Sequence, residues 1–133
     1  MTVLRVGRTR LRIPKSVKVL GAYDLDVLYS HSSARADALV ILESGGRTVA
    51  AVVEDTGRPN IDDLNRLNGT ADDLRRRGLI RPGMVTLKIL HHGGIRSGRA
   101  LLTSLARSLR VELQECRSGA TDIGFILRRR GLL

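Results

Sequence analysis

Apolar and polar side chains alternate near the start of the chain, and continuous apolar runs follow further along. Residues 2–13 alternate on either side of Gly7, which predicts a short β-hairpin that Pro14 ends. Residues 17–29 fit two short strands joined at a glycine turn, or one short helix around residues 22–30. The pattern alone leaves both alternatives open.

The clearest strand pair lies between residues 38 and 53. Residues 38–42 and 48–53 are almost wholly apolar, and the turn sequence Ser-Gly-Gly-Arg at 44–47 separates them. A strand that is apolar at consecutive positions is covered on both faces. Residues 48–53 are therefore predicted to lie centrally in a sheet.

Two helices are predicted, over residues 61–77 and 98–110. The first has an apolar stripe at three- and four-residue spacing, with Asn60 as its N-cap and Gly78 after its end. Ser97 is the predicted N-cap of the second. The second helix is predicted to bury four leucines: Leu101, Leu102, Leu105 and Leu109.

Three further strands complete the prediction. Residues 84–90 and 111–114 follow the two helices in alternation, and residues 123–127 are predicted to pair with 111–114. The resulting fold class is α/β (α+β), with a mixed central β-sheet flanked by helices. The 133 residues are expected to form a single domain, 1–133.

The charge of the chain points to a polyanionic partner. Lys and Arg total 23 against 13 Asp and Glu, a net charge of +10, and nucleic acid is the expected partner. Arg greatly outnumbers Lys, which is also typical of a GC-rich or heat-adapted (thermophile) genome. Aromatic residues are only 2% of the chain, so recognition of a DNA backbone is favoured over base stacking.

Other compartments and partners are disfavoured by the composition. Cys116 is the only cysteine, so no intrachain disulfide forms and a reducing, cytoplasmic location is expected, with Cys116 as a small core or edge residue. The N-terminal segment has no continuous apolar region typical of a secretion signal, and no apolar run approaches 18 residues. No membrane partner is expected.

Two carboxylates are predicted to meet at one end of the central strands. Asp37 begins one strand and Glu54 ends the next one across the tight hairpin. Two carboxylates at a strand edge suit a hard cation such as Mg²⁺, which would bind a scissile phosphate and activate water. The alternative is that Asp37 caps a turn and Glu54 with Asp55 forms a solvated strand end.

This stretch resembles the core of the PD-(D/E)xK nuclease superfamily, the restriction-endonuclease-like fold. In that family an Asp opens the second core strand, and a Glu-x-Lys tripeptide closes the third ahead of a helix. The resemblance covers residues 36–115 and implies that Asp37 and Glu54 are the metal ligands. Thr56 stands where the family has Lys, so either Lys88 supplies the missing cation from the neighbouring strand or catalysis has been lost.

A glycine-rich segment, residues 91–98, joins a strand to a helix and is a candidate phosphate contact. Glycines and a helix start allow backbone N–H groups to approach phosphate oxygens. The candidate nucleic-acid contacts here are His92, Gly94, Arg96 and Arg99. An ordinary glycine-rich connection is the alternative, and two histidines without a third ligand are a weak case for zinc.

Arginine clusters supply the remaining candidate nucleic-acid contacts. They are Arg75, Arg76 and Arg77, then Arg107 with Arg110, and finally Arg128–Arg130. Clusters of this kind neutralise several phosphates and make binding depend steeply on salt. Each could instead be a solvated helix or chain end.

The sequence therefore predicts a metal-dependent DNA endonuclease or resolvase-like protein, with homodimer formation implied by the family resemblance alone. One alternative is a catalytically inactive, nuclease-like protein that binds nucleic acid. Another is a basic subunit of a larger assembly.

Overall fold

A computed structural model describes residues 2–30, 35–115 and 119–133. Within these ranges the chain forms two sheets and four helices. The elements are, in order, β1 (Thr2–Val6), β2 (Thr9–Ile13), β3 (Lys18–Asp24), α1 (Leu25–Leu28), β4 (Ala38–Ser44), β5 (Arg47–Thr56), α2 (Ile61–Arg76), β6 (Val85–His92), α3 (Arg99–Leu109), β7 (Val111–Glu115), β8 (Thr121–Asp122) and α4 (Ile123–Arg129).

The larger sheet has five strands in the order β3-β4-β5-β6-β7. The first three pair antiparallel, whereas β5, β6 and β7 run parallel. Residues 49–54 of β5 are all buried, because neighbouring strands and packed elements cover β5 on every side. The predicted α+β class, with a mixed central sheet flanked by helices, is confirmed, and so is the central position of this strand.

A two-residue turn joins β4 to β5. Ser44 pairs with Arg47, and both intervening glycines have positive φ, 58° at Gly45 and 77° at Gly46. Only glycine adopts such angles without steric cost. The predicted turn is therefore correct, and it sets the register that brings the far ends of β4 and β5 together.

Two apolar cores cover the two faces of the large sheet. Helices α2 and α3 bury Leu64, Leu67 and Leu102 on one face. The small sheet β1-β2-β8 and helix α4 cover the other, with Leu11 and Ile123 fully buried. The molecule thus has a three-layer arrangement around β5.

Helix α2 agrees closely with its prediction. The Asn60 side chain accepts a hydrogen bond from the backbone of Asp63, and the Asp63 side chain accepts one from the backbone of Asn60, at 2.9 Å each. This capping box satisfies N–H groups that the first helical turn would leave unpaired. The helix ends before Gly78, whose φ is 80°.

The prediction of a strand over residues 123–127 is wrong, because these residues form most of α4. Asp122 accepts a hydrogen bond from the backbone N–H of Phe125 at 3.0 Å and caps the helix. Ile123, Ile126 and Leu127 share one helical face, which is buried against β2 and the large sheet. A short apolar run carries no signal that separates a strand from a helix, and tertiary packing decides here.

Two other segments differ from expectation in detail. Residues 17–29 form neither of the two alternatives alone, since β3 passes directly into the one-turn helix α1. Helix α3 has Gly98 as its N-cap, with a left-handed conformation and no side-chain cap, so the assignment of Ser97 is wrong. Leu101 is 59% exposed rather than buried, whereas Leu102 is buried as predicted.

Two further expectations from the sequence concern Cys116 and contact with a membrane. Cys116 lies outside the described residues. None of the described helices has the length and apolar character needed to cross a membrane.

Candidate active site at the carboxyl edge of the sheet

The carboxyl ends of the three parallel strands meet at one edge of the large sheet. Glu54 pairs in register with Leu90, Asp55 with His91, and Thr56 with His92. Ligand sites of open α/β sheets lie outside the carboxyl ends of the strands. Polar side chains cluster at this edge, which makes it the candidate site.

Asp37 lies directly before β4 and is held from several sides. Its backbone N–H donates to the carbonyl of Val53 at 2.9 Å, and its carboxylate accepts from the backbone N–H of Asp55 at 2.7 Å. The preceding residue, Ala36, donates its N–H to the hydroxyl of Thr70 on α2 at 3.1 Å. Burial raises the pKa of Asp37, against the opposing effect of the Asp55 N–H. Asp37 is therefore rigidly positioned beside the end of β5.

Glu54 is buried, with 6% of its surface exposed. Burial first, and then the negative charge of Asp37, raise the pKa of Glu54 to about 7. The effect of Asp37 on the pKa of Glu54 agrees with the predicted meeting of the two carboxylates. The alternative of a solvated strand end is wrong for Glu54.

Arg66 on α2 supplies the positive charge at this cluster. Its guanidinium donates to Glu54 through Nε at 3.2 Å and ion-pairs with Asp63 through a second nitrogen. Burial acts to lower the pKa of this guanidinium, but the carboxylates of Glu54, Asp63 and Asp37 together raise it above its ordinary value. The cluster therefore keeps a negative excess in a poorly solvated place.

Sequence reasoning missed Arg66, although a signal for it exists. Asp63, Arg66 and Thr70 follow one another at spacings of three and four, so they share a face of α2 next to its apolar stripe. Asp63 and Thr70 are 5% and 1% exposed. Polar side chains buried on the sheet-facing side of a helix have partners: here Thr70 binds the N–H of Ala36, and Asp63 binds Arg66, which in turn binds Glu54.

The structure does not bring Lys88 to the carboxylate pair. Its ammonium group donates to Asn68 at 2.8 Å and to the carbonyl of Leu109 at 2.5 Å. Burial lowers the pKa of Lys88, and Asp72 is the only carboxylate among the causes of the shift. Lys88 therefore ties β6 to the middle of α2 and to the end of α3, and no described contact links it with Asp37 or Glu54.

The carboxylate oxygens of Asp37 and Glu54 suit a hard cation that the protein holds through few ligands. Across residues 2–30, 35–115 and 119–133, no three His, Cys, Asp or Glu side chains are arranged to hold a metal ion. Mg²⁺ commonly takes only one or two carboxylates and completes its shell with waters and substrate phosphates. Asp37 and Glu54 fit that requirement by chemistry, and they do not form a closed metal cage.

The two histidines belong to β6 rather than to the glycine-rich loop, which corrects the sequence interpretation. Each is 3% exposed. Nδ1 of His91 lies 3.0 Å from the Asp55 carboxylate, and Nδ1 of His92 accepts from the backbone N–H of Gly94 at 3.1 Å. Burial lowers the pKa of His92. His92 is thus an interior residue that anchors the loop, and its ring is not displayed to solvent.

The loop itself spans residues 93–98. Gly93 donates its N–H to the carbonyl of Gly57 at 3.2 Å, and a Cβ at position 93 would lie equally close to that oxygen. Gly94 has a φ of 143°. Arg96 and Arg99 are exposed beside this loop, without an ion pair to any described residue.

The three arginines at the end of α2 are largely offset by acids of the same helix. Arg75 pairs with Asp72 at 3.2 Å, and Arg76 and Arg77 pair with Asp73 at 3.4 and 2.8 Å. Asp73 also accepts a hydrogen bond from the buried Tyr29 hydroxyl at 2.5 Å, and the Arg77 guanidinium lies 4.8 Å from the centre of that ring. These arginines belong to a local network and are poorly placed to present free charge.

The last predicted contacts, Arg107 and Arg110, are exposed at the end of α3. They lie near the amino end of β7, since Val111 pairs with Lys88, and therefore away from the carboxyl edge.

Comparison of the chain with protein-family models, with curated proteins and with solved structures returns no significant match. The resemblance to restriction-endonuclease-like nucleases therefore depends on the residues and on their placement in this fold.

Proposed function

We propose that the chain is a metal-dependent DNA nuclease or resolvase-like protein that acts at the carboxyl edge of its large sheet. The observation that supports this proposal best is the proximity of the Asp37 and Glu54 carboxylates at one end of β4 and β5. Both carboxylates are desolvated beside one guanidinium, and the charge of Asp37 adds to burial in raising the pKa of Glu54. Perturbed carboxylates in such an environment are typical of functional sites.

The roles follow from the chemistry of the side chains. Asp37 and Glu54 would hold Mg²⁺, which supplies Lewis acidity toward a phosphate oxygen and a lowered pKa for bound water. Arg66, 28% exposed in its side chain, would balance charge near the phosphate. Arg96 and Arg99 would bind neighbouring backbone phosphates through charge-assisted hydrogen bonds.

The order of elements also favours this proposal. Asp37 precedes the second strand of the β3-β4-β5 meander, and Glu54 lies near the end of the third, ahead of α2. This is the arrangement that the restriction-endonuclease-like resemblance implies. DNA as substrate and a homodimer, with one site for each strand, are part of the same proposal.

Cleavage of supercoiled plasmid and of a four-way DNA junction, with Mg²⁺ or Mn²⁺ and with chelator, tests the proposal. We expect metal-dependent cleavage that Asp37→Asn and Glu54→Gln each reduce by roughly 100-fold or more. Glu43→Gln is the matched control, since Glu43 is an exposed strand carboxylate, and it should keep full activity. Cleavage that survives Glu54→Gln would refute the assignment of this site.

A second candidate function is a nuclease-like protein that binds nucleic acid without cutting it. Thr56 at the position of the family Lys, and the engagement of Lys88 with Asn68 and Leu109, favour this candidate. It predicts binding that weakens steeply with salt and no cleavage under any metal. Glu54→Gln would then leave DNA affinity unchanged.

A further inference from the structure

A polar cavity lies along β7, an edge strand of the large sheet. This cleft has a volume of about 430 Å³ and is bounded by α3 on one side and by the end of α4 on the other. The volume falls within the range of sites for small molecules or for single groups of a larger ligand. The cleft lies beside the amino-terminal half of β7, whereas the carboxylate cluster lies at the carboxyl end of β5.

Four guanidinium groups line this cleft against one carboxylate. Arg129 and Arg130, at the end of α4, both ion-pair with Glu112. Arg107 and Arg110 line the opposite side and have no ion pair with any residue in the described ranges. The cleft therefore keeps an unbalanced positive charge in a concave surface, where low-dielectric walls strengthen its attraction for anions.

The kind of side chain indicates the kind of anion. Arginine presents a planar fork of N–H donors that matches two oxygens of one phosphate or carboxylate. Guanidiniums from both walls of one cleft can surround a tetrahedral anion. A lysine-rich surface would attract negative charge without this geometry.

An acidic peptide that pairs with β7 as an added strand is disfavoured by the edge itself. The Gln114 side chain accepts from the backbone N–H of Asp122 at 2.8 Å and donates to its carbonyl at 3.2 Å. These two bonds tie the end of β7 to Asp122 of β8. The strand β7 also carries Glu112 and Glu115, and like charges on neighbouring strands destabilise their pairing, so an acidic strand is a poor neighbour for β7.

We infer that the cleft between α3 and α4 binds phosphate groups through Arg107 and Arg110, with Arg129 and Arg130 on the opposite wall. The phosphate can belong to a nucleic-acid backbone or to a free phosphorylated compound, and the chemistry of recognition is shared. The inference needs neither metal nor cleavage, so it does not depend on the proposed reaction.

Two probes separate the sources: a fluorescein-labelled 20-base-pair duplex followed by anisotropy, and pyrophosphate followed by calorimetry, both without divalent metal. The test variant is Arg107→Gln/Arg110→Gln. The matched control is Arg8→Gln/Arg47→Gln, which removes two exposed arginines that do not line the cleft. Arg107→Lys/Arg110→Lys keeps the charge and removes the forks, and thermal melts show whether each variant is folded.

We expect the test variant to bind about tenfold or more weakly to whichever of the two probes the wild-type protein binds. For the duplex, the slope of log affinity against log salt should fall by about two. The control should change affinity much less, and the Lys variant should lie between. A loss confined to the duplex identifies a nucleic-acid backbone, and a loss with pyrophosphate identifies a free phosphorylated ligand. Failure of the wild-type protein to bind either probe overturns the inference, as does an equal loss in test and control variants. If the Arg107→Gln/Arg110→Gln variant loses binding as expected while the wild-type protein shows no cleavage, only the proposed reaction is refuted.

Discussion

Glu54 is the side chain whose ionisation most affects the candidate site. A carboxylate gains stability from ionising only when solvent or partners compensate for the charge. Arg66 compensates Glu54 in part, because the same guanidinium also ion-pairs with Asp63. Burial and the charge of Asp37 outweigh that partner, so the pKa of Glu54 rises from 4.5 to about 7.

This shift predicts how Glu54 changes stability with pH. The folded-state pKa lies above the unfolded one, so the contribution of Glu54 is complete below about pH 4.5 and is lost as the pH rises through about 7. The loss amounts to at most about 3 kcal/mol. In metal-free buffer, Glu54→Gln should therefore become more stable relative to the wild-type protein between pH 5 and pH 8, on the order of 1–3 kcal/mol.

Urea unfolding of both proteins across this pH range measures that difference. Other titrating groups, including Asp37 and His92, are present in both proteins and largely cancel in the comparison. Glu43→Gln, at an exposed carboxylate, should follow the wild-type curve. A constant difference between the wild-type protein and Glu54→Gln at all pH values would mean that Glu54 ionises normally.

At the scale of elements, the two helices that pack on the sheet begin in different ways. Helix α2 has a reciprocal capping box between Asn60 and Asp63, whereas α3 starts at Gly98 without a side-chain cap. Asp63 also binds Arg66, so the cap of α2 is continuous with the candidate site. The start of α2 is therefore coupled to the geometry of the candidate site, whereas the start of α3 is independent of it.

Replacing each predicted N-cap by alanine tests this difference. Asn60→Ala should destabilise the protein by about 1 kcal/mol, because it removes the acceptor for the Asp63 N–H. Ser97→Ala should change the free energy of unfolding by less than about 0.5 kcal/mol, since Ser97 caps nothing. Chemical denaturation of the two variants measures both values, and equal losses would show that Ser97 caps α3.

At the scale of the whole molecule, the positive excess is unevenly neutralised. Residues 91–111 contain four arginines and no acidic residue. The arginines at the end of α2, in contrast, pair with Asp72 and Asp73. An arginine that is already paired with a carboxylate gains little free energy from binding a phosphate. The four arginines of residues 91–111, here called the α3 side, have no ion pair within the described part of the chain and should therefore dominate contacts with nucleic acid.

This distribution predicts which arginines matter for DNA. Arg96→Gln/Arg99→Gln should reduce the slope of log affinity against log salt by about two, as expected when two phosphate contacts are lost. Arg75→Gln/Arg76→Gln removes the same charge from the paired cluster and should leave the slope nearly unchanged. Anisotropy titrations of a labelled duplex at several salt concentrations measure both slopes. Similar slopes for the two variants would contradict a dominant α3 side.

The features that the sequence predicted correctly depend on residues close together along the chain. The turn at Gly45 and Gly46, the cap at Asn60 and the buried strand β5 are all set by local conformation or local apolar pattern. The positive excess is likewise a property of composition. These signals sufficed for the α+β class and for the expectation that Asp37 and Glu54 meet across one hairpin.

Tertiary structure alone decided the remaining features, because they depend on contacts that local pattern does not encode. Arg66 reaches Glu54 only because α2 packs on the sheet, and Lys88 is held by Asn68 and Leu109 from two different helices. Residues 123–127 carry an apolar pattern that fits strand or helix, and burial against β2 selects the helix. Sequence thus determined the scaffold and the candidate carboxylates, and packing determined which charges surround them.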